Sequence, residues 1–189
     1  MKNINLKHSI ELAARIYVWF ILSSYGLGKI VGGQFHRRGK LTEDVAVQTL
    51  DNATAFDLAW TFMGYSQAYI TFIGMSQIIG AFLLLFNKTK FLGIIILVPI
   101  LLNIIIFDII FLPDYGALAS ATIYFSLLIL VLYLNKERLI NAYKSFITVN
   151  PNEAKLYNIK IIIITVTIIA IIFGLDQASI YFLDKSGLF

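Results

Sequence analysis

Residues 67–86 and 91–112 are two apolar runs separated only by Asn87-Lys88-Thr89-Lys90. A hydrocarbon layer about 30 Å thick needs about 20 helical residues at about 1.5 Å each, and both runs meet that length. So short a joint permits one arrangement, a tight antiparallel hairpin across a membrane. Three further runs obey the same rule, at about 10–31, 117–134 and 159–182. Composition agrees. The chain is 59% hydrophobic and 14% charged, whereas soluble domains have about 25% charged residues. The isoleucine-rich runs do not alternate, which argues against barrel strands. Five transmembrane helices in one membrane domain are the simplest account. A cleaved signal peptide competes for the first run, because Ser24-Tyr25-Gly26 resembles a small-residue cleavage site. The run continues past it to Val31, which suits a retained anchor better.

The segments between the runs have distinct characters. Residues 32–66 begin Gly32-Gly33-Gln34-Phe35-His36-Arg37-Arg38, then carry a short predicted helix after Thr42 with Glu43 and Asp44 in its first turn, where the helix dipole favours acids. Trp60 sits where an interfacial aromatic belongs. Leu112-Pro113-Asp114-Tyr115-Gly116 reads as a turn, since Pro113 cannot continue a helix. Residues 135–158 hold a basic amphipathic helix with Leu139, Ile140, Tyr143 and Phe146 on one face, ended by Pro151-Asn152. Lysine and arginine set the orientation. With the N-terminus inside, the inner segments carry ten basic residues against three acids (Glu11, Glu137, Glu153). The outer segments carry five (Lys29, Arg37, Arg38, Lys40, Lys185) against eight. N-in, C-out is therefore the expected topology, with 32–66 outside and 135–158 inside.

Polar residues inside apolar runs point to a site, because an unsatisfied polar group in hydrocarbon is costly. Gln77 shares a helix face with Gly74, Gly80 and Ala81, and so points into the bundle. It serves either as an interhelical hydrogen-bond partner or as the lining of a cavity. The third run carries Pro99, Asn103 and Asp108. Pro99 frees the carbonyl of Ile95, Asn103 falls near mid-membrane, and Asp108 lies one turn from the outer end. Lys29 or Arg37 is the expected partner of Asp108. The readings are a structural ion pair or a proton-carrying carboxyl. Lys29, Arg37 and Arg38 beside a glycine-rich segment suggest an anion or headgroup site, or contacts to lipid phosphates, Glu43 and Asp44. The candidate pocket set is Tyr25, Lys29, Arg37, Arg38, Trp60, Gln77, Asn103 and Asp108.

Several chemistries lack their residues. With no cysteine there is no disulfide relay, thiolate zinc site, iron–sulfur cluster or covalent haem. His8 and His36, the two histidines, both lie outside the apolar runs, so the chain offers no buried bis-histidine site. The glycines of Gly26-Leu27-Gly28-Lys29-Ile30-Val31-Gly32-Gly33 come after a membrane helix rather than a strand, which excludes a dinucleotide loop. No nucleophile elbow, metal-ligand spacing or nucleic-acid-binding pattern is present.

Residues 11–146 resemble the DoxX-like family of small bacterial membrane proteins. The likeness runs through Arg15, Tyr25-Gly26, Lys29 and Gln34-Phe35. It continues with Trp60, Gly64-Tyr65-Ser66, Tyr69, Gly74, Leu83-Leu84-Leu85, Lys88-Thr89, Gly93, Asn103 and Asp108. The resemblance implies a four-helix transmembrane bundle in a bacterial inner membrane. Some members of that family belong to redox systems, a thiosulfate:quinone oxidoreductase among them. Two departures weigh against carrying that chemistry over: Gln77 stands where many relatives have glutamate, and the turn after the third run differs. The run from 159 lies outside the four-helix unit.

These readings converge on an all-α integral membrane protein, a four-helix bundle plus a fifth C-terminal helix. The leading functional expectation is an accessory or scaffold subunit of a membrane complex, with the lipid bilayer and a membrane-protein partner as its surroundings. Its polar pocket would face outward between the first three spans. The alternative is a membrane subunit of a quinone-linked oxidoreductase, with quinone as the implied cofactor and no metal. A small-solute transporter is the third reading, disfavoured by the lack of inverted repeats.

Overall fold

A computed structural model of the chain describes residues 6–113, 115–147 and 159–186. Among them every regular element is helical: α1 (Leu6–Val31), α2 (Glu43–Ala46), α3 (Ala55–Gly64), α4 (Gln67–Leu84), α5 (Lys90–Phe111), α6 (Tyr115–Leu134), α7 (Lys136–Ile147) and α8 (Ile159–Ser186). Five of them, α1, α4, α5, α6 and α8, are long and apolar enough to cross a membrane. The protein is thus an integral membrane protein by length and composition. Helix ends move by a few residues from the sequence expectation. The first starts at Leu6 rather than 10 and the second stops at Leu84 rather than 86. Asp114 of the turn, the helix stop at Pro151-Asn152 and the Phe146 side chain lie outside the described residues.

The chain divides into two units, Met1–Leu139 and Ile140–Phe189, where the sequence suggested one domain. In the first, α1, α4, α5 and α6 form a closed four-helix ring in which each helix packs against its two neighbours. Short connections make chain neighbours antiparallel. The core is a column of Val18, Leu22, Ala81, Leu84, Leu97, Leu101, Leu128 and Val131. In the second unit, α8 is a 28-residue helix, apolar from Ile161 to Ile172 and polar at Asp176 and Gln177.

Two seams close through glycine. A Cβ on Gly26 would lie 2.7 Å from the Gly74 carbonyl oxygen, and a Cβ on Gly74 would lie 2.7 Å from that of Gly26. The backbones of α1 and α4 therefore meet directly. Between α4 and α5, a Cβ on Gly93 would lie 2.6 Å from the Gly80 carbonyl oxygen. With no hydrophobic drive between helices in lipid, such close approach supplies the packing.

At the end where α1 begins, a charge cluster knots the ring. Arg15 is 1% exposed. Its Nε donates to the Leu84 carbonyl at 2.6 Å, and its Nη1 to Asn87 Oδ1 at 2.7 Å and Glu11 Oε1 at 3.3 Å. Lys90 Nζ donates to the same Glu11 oxygen at 2.6 Å and to Asn135 Oδ1 at 2.7 Å. One carboxylate from α1 so binds a cation from its own helix and one from α5, and amides from the α4–α5 and α6–α7 joints add a bond to each cation, while Arg15 Nη2 is left without a partner among the described residues. We call this the knotted end.

The opposite end is covered by residues 32–66. Thr54 caps α3 by accepting from the Asp57 amide at 3.1 Å, and its hydroxyl donates to Asp57 Oδ2 at 2.7 Å. Ser66 caps α4 by accepting from the Tyr69 amide. The predicted helix after Thr42 is a four-residue turn, Glu43–Ala46, without a side-chain cap bond from Thr42. α3 packs on both α4 and α5. We call this the capped end.

Candidate functional site

Beneath the cap, the four helices do not fill the space between them. A cavity of about 430 Å³ lies there, within the range of small-molecule sites. Of the sequence-predicted set, Tyr25, Lys29, Trp60, Gln77, Asn103 and Asp108 line it. Arg37 and Arg38 do not.

The position of each side chain is set by its helix. On α1, Leu22, Tyr25 and Lys29 recur at helical spacing, so the stripe that packs the core lower down faces the cavity above. Lys29 is only 7% exposed, and its ammonium lies 5.8 Å from the Tyr25 ring centroid. Asp108, on the same interior stripe of α5 as Leu97 and Leu101, is also 7% exposed. Its charge acts on the Lys29 ammonium. The cavity therefore has a cation and an anion in its wall, on opposite helices. Gln77, 1% exposed, enters from α4, and its Oε1 has no hydrogen-bond partner among the described residues. A desolvated amide oxygen left without a donor is expensive, on the order of 1–3 kcal/mol.

The roof is aromatic. Trp60 stacks on Phe56 with centroids 4.4 Å apart, meets Phe35 edge-on at 5.2 Å and reaches Phe107 of α5 at 6.2 Å. Phe35 holds a φ of 70°, a left-handed conformation rare for a bulky residue. Two contacts of the neighbouring His36 hold the backbone in this shape. The His36 amide donates to the Trp60 carbonyl at 3.2 Å, and His36 Nε2 lies 3.3 Å from Asp57 Oδ1. The Thr54 hydroxyl donating to Asp57, helped by His36, holds that carboxyl below its ordinary value of 3.8. Gly64 is a second contact of the roof, because any Cβ there would collide with the His36 carbonyl.

Arg37 and Arg38 hold the roof from outside the cavity. Arg37 Nη2 donates to the Lys29 and Ile30 carbonyls at 2.7 and 3.0 Å, and its Nη1 to Gln67 Oε1 at 2.6 Å. It caps the last turn of α1 and ties it to the start of α4, which is what a cation at a helix C-terminus does. Arg38 donates to the Tyr65 hydroxyl and stacks over its ring. Arg37 and Arg38 therefore bond protein groups rather than line the cavity, and of the two expected partners of Asp108, Lys29 is the one on which its charge acts.

Sequence reasoning left several lining residues out of the pocket set. Tyr69 and Tyr124 bring phenol rings, Phe107 a wall, and Gln34 and Ser120 further polar groups. Tyr124 packs against Tyr25 and Tyr17 with centroids 6.4 and 6.1 Å away. The available signal was spacing: Tyr69, Ile73 and Gln77 repeat every four residues on one face of α4.

The fold and the cavity define a class: polytopic membrane bundles with a partly polar interior chamber. The chain is 32% identical over 139 residues to the uncharacterized protein YwoB of Bacillus subtilis (strain 168). The alignment covers 74% of this chain and 85% of that protein. The chain belongs to the same family as YwoB. No family model matches it, and no solved structure does.

Proposed function

We propose that this protein is a ligand-binding accessory subunit of a bacterial inner-membrane complex, holding a small amphipathic molecule in the capped cavity. The observation that carries the reading is Gln77: a buried amide whose Oε1 has no donor, on the wall of a cavity that also holds Lys29 and Asp108. A helix-packing amide would be bonded to its neighbour; one facing a ligand waits for the ligand's donor. The amphipathic character rests on the lining, where aromatic and aliphatic groups dominate and a few polar groups converge. The accessory role rests on α8, an apolar helix that belongs to the second unit and not to the four-helix ring. The distribution of lysine and arginine supports an N-in topology, with the capped end outward. A relative in Bacillus subtilis is consistent with a bacterial membrane.

A quinone-linked oxidoreductase subunit is the second reading. Its support is the flat aromatic lining of Tyr25, Trp60, Phe107 and Tyr124 beside two amides, a setting suited to a ring with hydrogen-bonding oxygens. The DoxX-like resemblance points the same way.

The test is purification from native membranes in mild detergent, with mass spectrometry of extracted small molecules and co-purifying proteins, for the parent and Gln77→Leu. One enriched amphiphile, depleted in the variant, together with a stoichiometric protein partner, is the expected result. Enrichment of a quinone without a partner would favour the second reading. No small molecule enriched over an unrelated membrane protein would sink both.

A further inference from the structure

The α4–α5 seam is closed at one end and open at the other. Toward the knotted end Gly80 and Gly93 bring the two backbones into contact. The facing stripe of α5 continues from Gly93 through Ile96, Ile100, Asn103 and Phe107, at steps of three and four. Ile96 still packs on α4, 3.0 Å from where a Gly80 Cβ would sit. From Ile100 onward the same stripe lines the cavity instead, opposite Tyr69 and Ile73 of α4. Two residues there both line the cavity and stand exposed: Tyr69, at 44%, and Asn103. Asn103 lies in the middle of the most apolar helix of the chain. Its amide has no hydrogen-bond partner among the described residues. An exposed amide at that depth is unfavourable unless something arriving from the bilayer bonds it.

We propose that the α4–α5 seam is a lateral portal through which the cavity's ligand enters from the bilayer, with Asn103 as its hydrogen-bonding threshold. The ligand class is read from the geometry and rests on the ligand-binding reading of the cavity. It is a single-tailed amphiphile with an uncharged hydroxyl- or carbonyl-bearing head. The head reaches Gln77 and the Lys29–Asp108 wall. The tail trails back through the seam past Ile73 and Ile100. Lys29 and Asp108 already offset one another, so the cavity favours a neutral head over an ion.

The chain has two tryptophans, so Trp19→Phe leaves Trp60, in the cavity roof, as sole reporter. The protein is placed in phosphatidylcholine nanodiscs containing a bromine-tailed monoacylglycerol, or brominated phosphatidylcholine as reference. The monoacylglycerol is expected to quench Trp60 more strongly than the two-chain lipid does. Asn103→Phe, which plugs the threshold, is expected to lose that excess while keeping its thermal unfolding midpoint. Should that variant misfold, Asn103→Cys, the sole cysteine of its chain, is plugged after purification with N-cyclohexylmaleimide, which does not absorb in the tryptophan emission band, and read the same way. Excess quenching that survives the plug overturns the portal and leaves the cavity reading standing. No excess in the unplugged protein overturns the cavity reading and the portal with it.

Discussion

The two ends of one four-helix ring treat buried polar groups in opposite ways. At the knotted end, Glu11, Arg15, Lys90, Asn87 and Asn135 are bonded to one another across two helices and two joints. At the capped end, Lys29, Asp108, Gln77 and Asn103 stand around a void. The same helices and the same membrane environment serve both. Where hydrogen bonds close on the protein, the polar residues are there for cohesion. Around the cavity the contrast rests on Gln77, whose Oε1 has no donor among the described residues.

The largest expected effect tests the knot. Glu11→Gln leaves Lys90 and Arg15 buried without their shared carboxylate, and breaking such a cluster costs about 3 kcal/mol or more. The unfolding midpoint in detergent should fall steeply. A small change would mean that water, not protein, satisfies the knotted end. Next comes Gly64→Ala, whose methyl strikes the His36 carbonyl and lifts the roof; overpacking of this kind costs about 1–3 kcal/mol. Trp60 emission should shift to the red. Gln77→Leu sharpens the contrast most. Removing an amide that no protein group satisfies should leave stability within about 1 kcal/mol of the parent, or raise it, while depleting the bound molecule. Loss of stability comparable with Glu11→Gln would show that both ends are structural. The smallest effect is electrostatic. Asp57 is held below 3.8 by the Thr54 hydroxyl, so its contribution to the roof is present above the ordinary value and lost as pH falls through the depressed one. An acid titration of Trp60 fluorescence should show a transition below 3.8, and Thr54→Ala should move it upward.

The membrane class was legible because run length against bilayer thickness is a one-dimensional criterion. Gln77, Asn103 and Asp108 were legible for a related reason: each interrupts an apolar run and so has to answer to something. The arginines misled because charge and nearby glycine do not distinguish a ligand site from a helix cap. Only the path of 32–38, with Phe35 at positive φ, turns Arg37 back onto the carbonyls of Lys29 and Ile30. The knot was illegible as a unit. Glu11 and Lys90 are 79 residues apart, and in a tally of charges they count for orientation rather than for each other. Tyr69 and Tyr124 went unmarked as pocket residues because a tyrosine in a membrane helix reads first as an interfacial anchor or a packing ring, so its presence carries little information about a cavity until its neighbours are known.

The two glycine contacts have a mechanical consequence. Both belong to α4, which meets α1 at Gly26–Gly74 and α5 at Gly80–Gly93 backbone to backbone. α6 meets α1 partly through the rings of Tyr17, Tyr25 and Tyr124, whose torsions are free to adjust. A change in bilayer thickness or lateral pressure would therefore deform the ring unevenly: α4 acts as a stiff spine, and α6 takes up the strain.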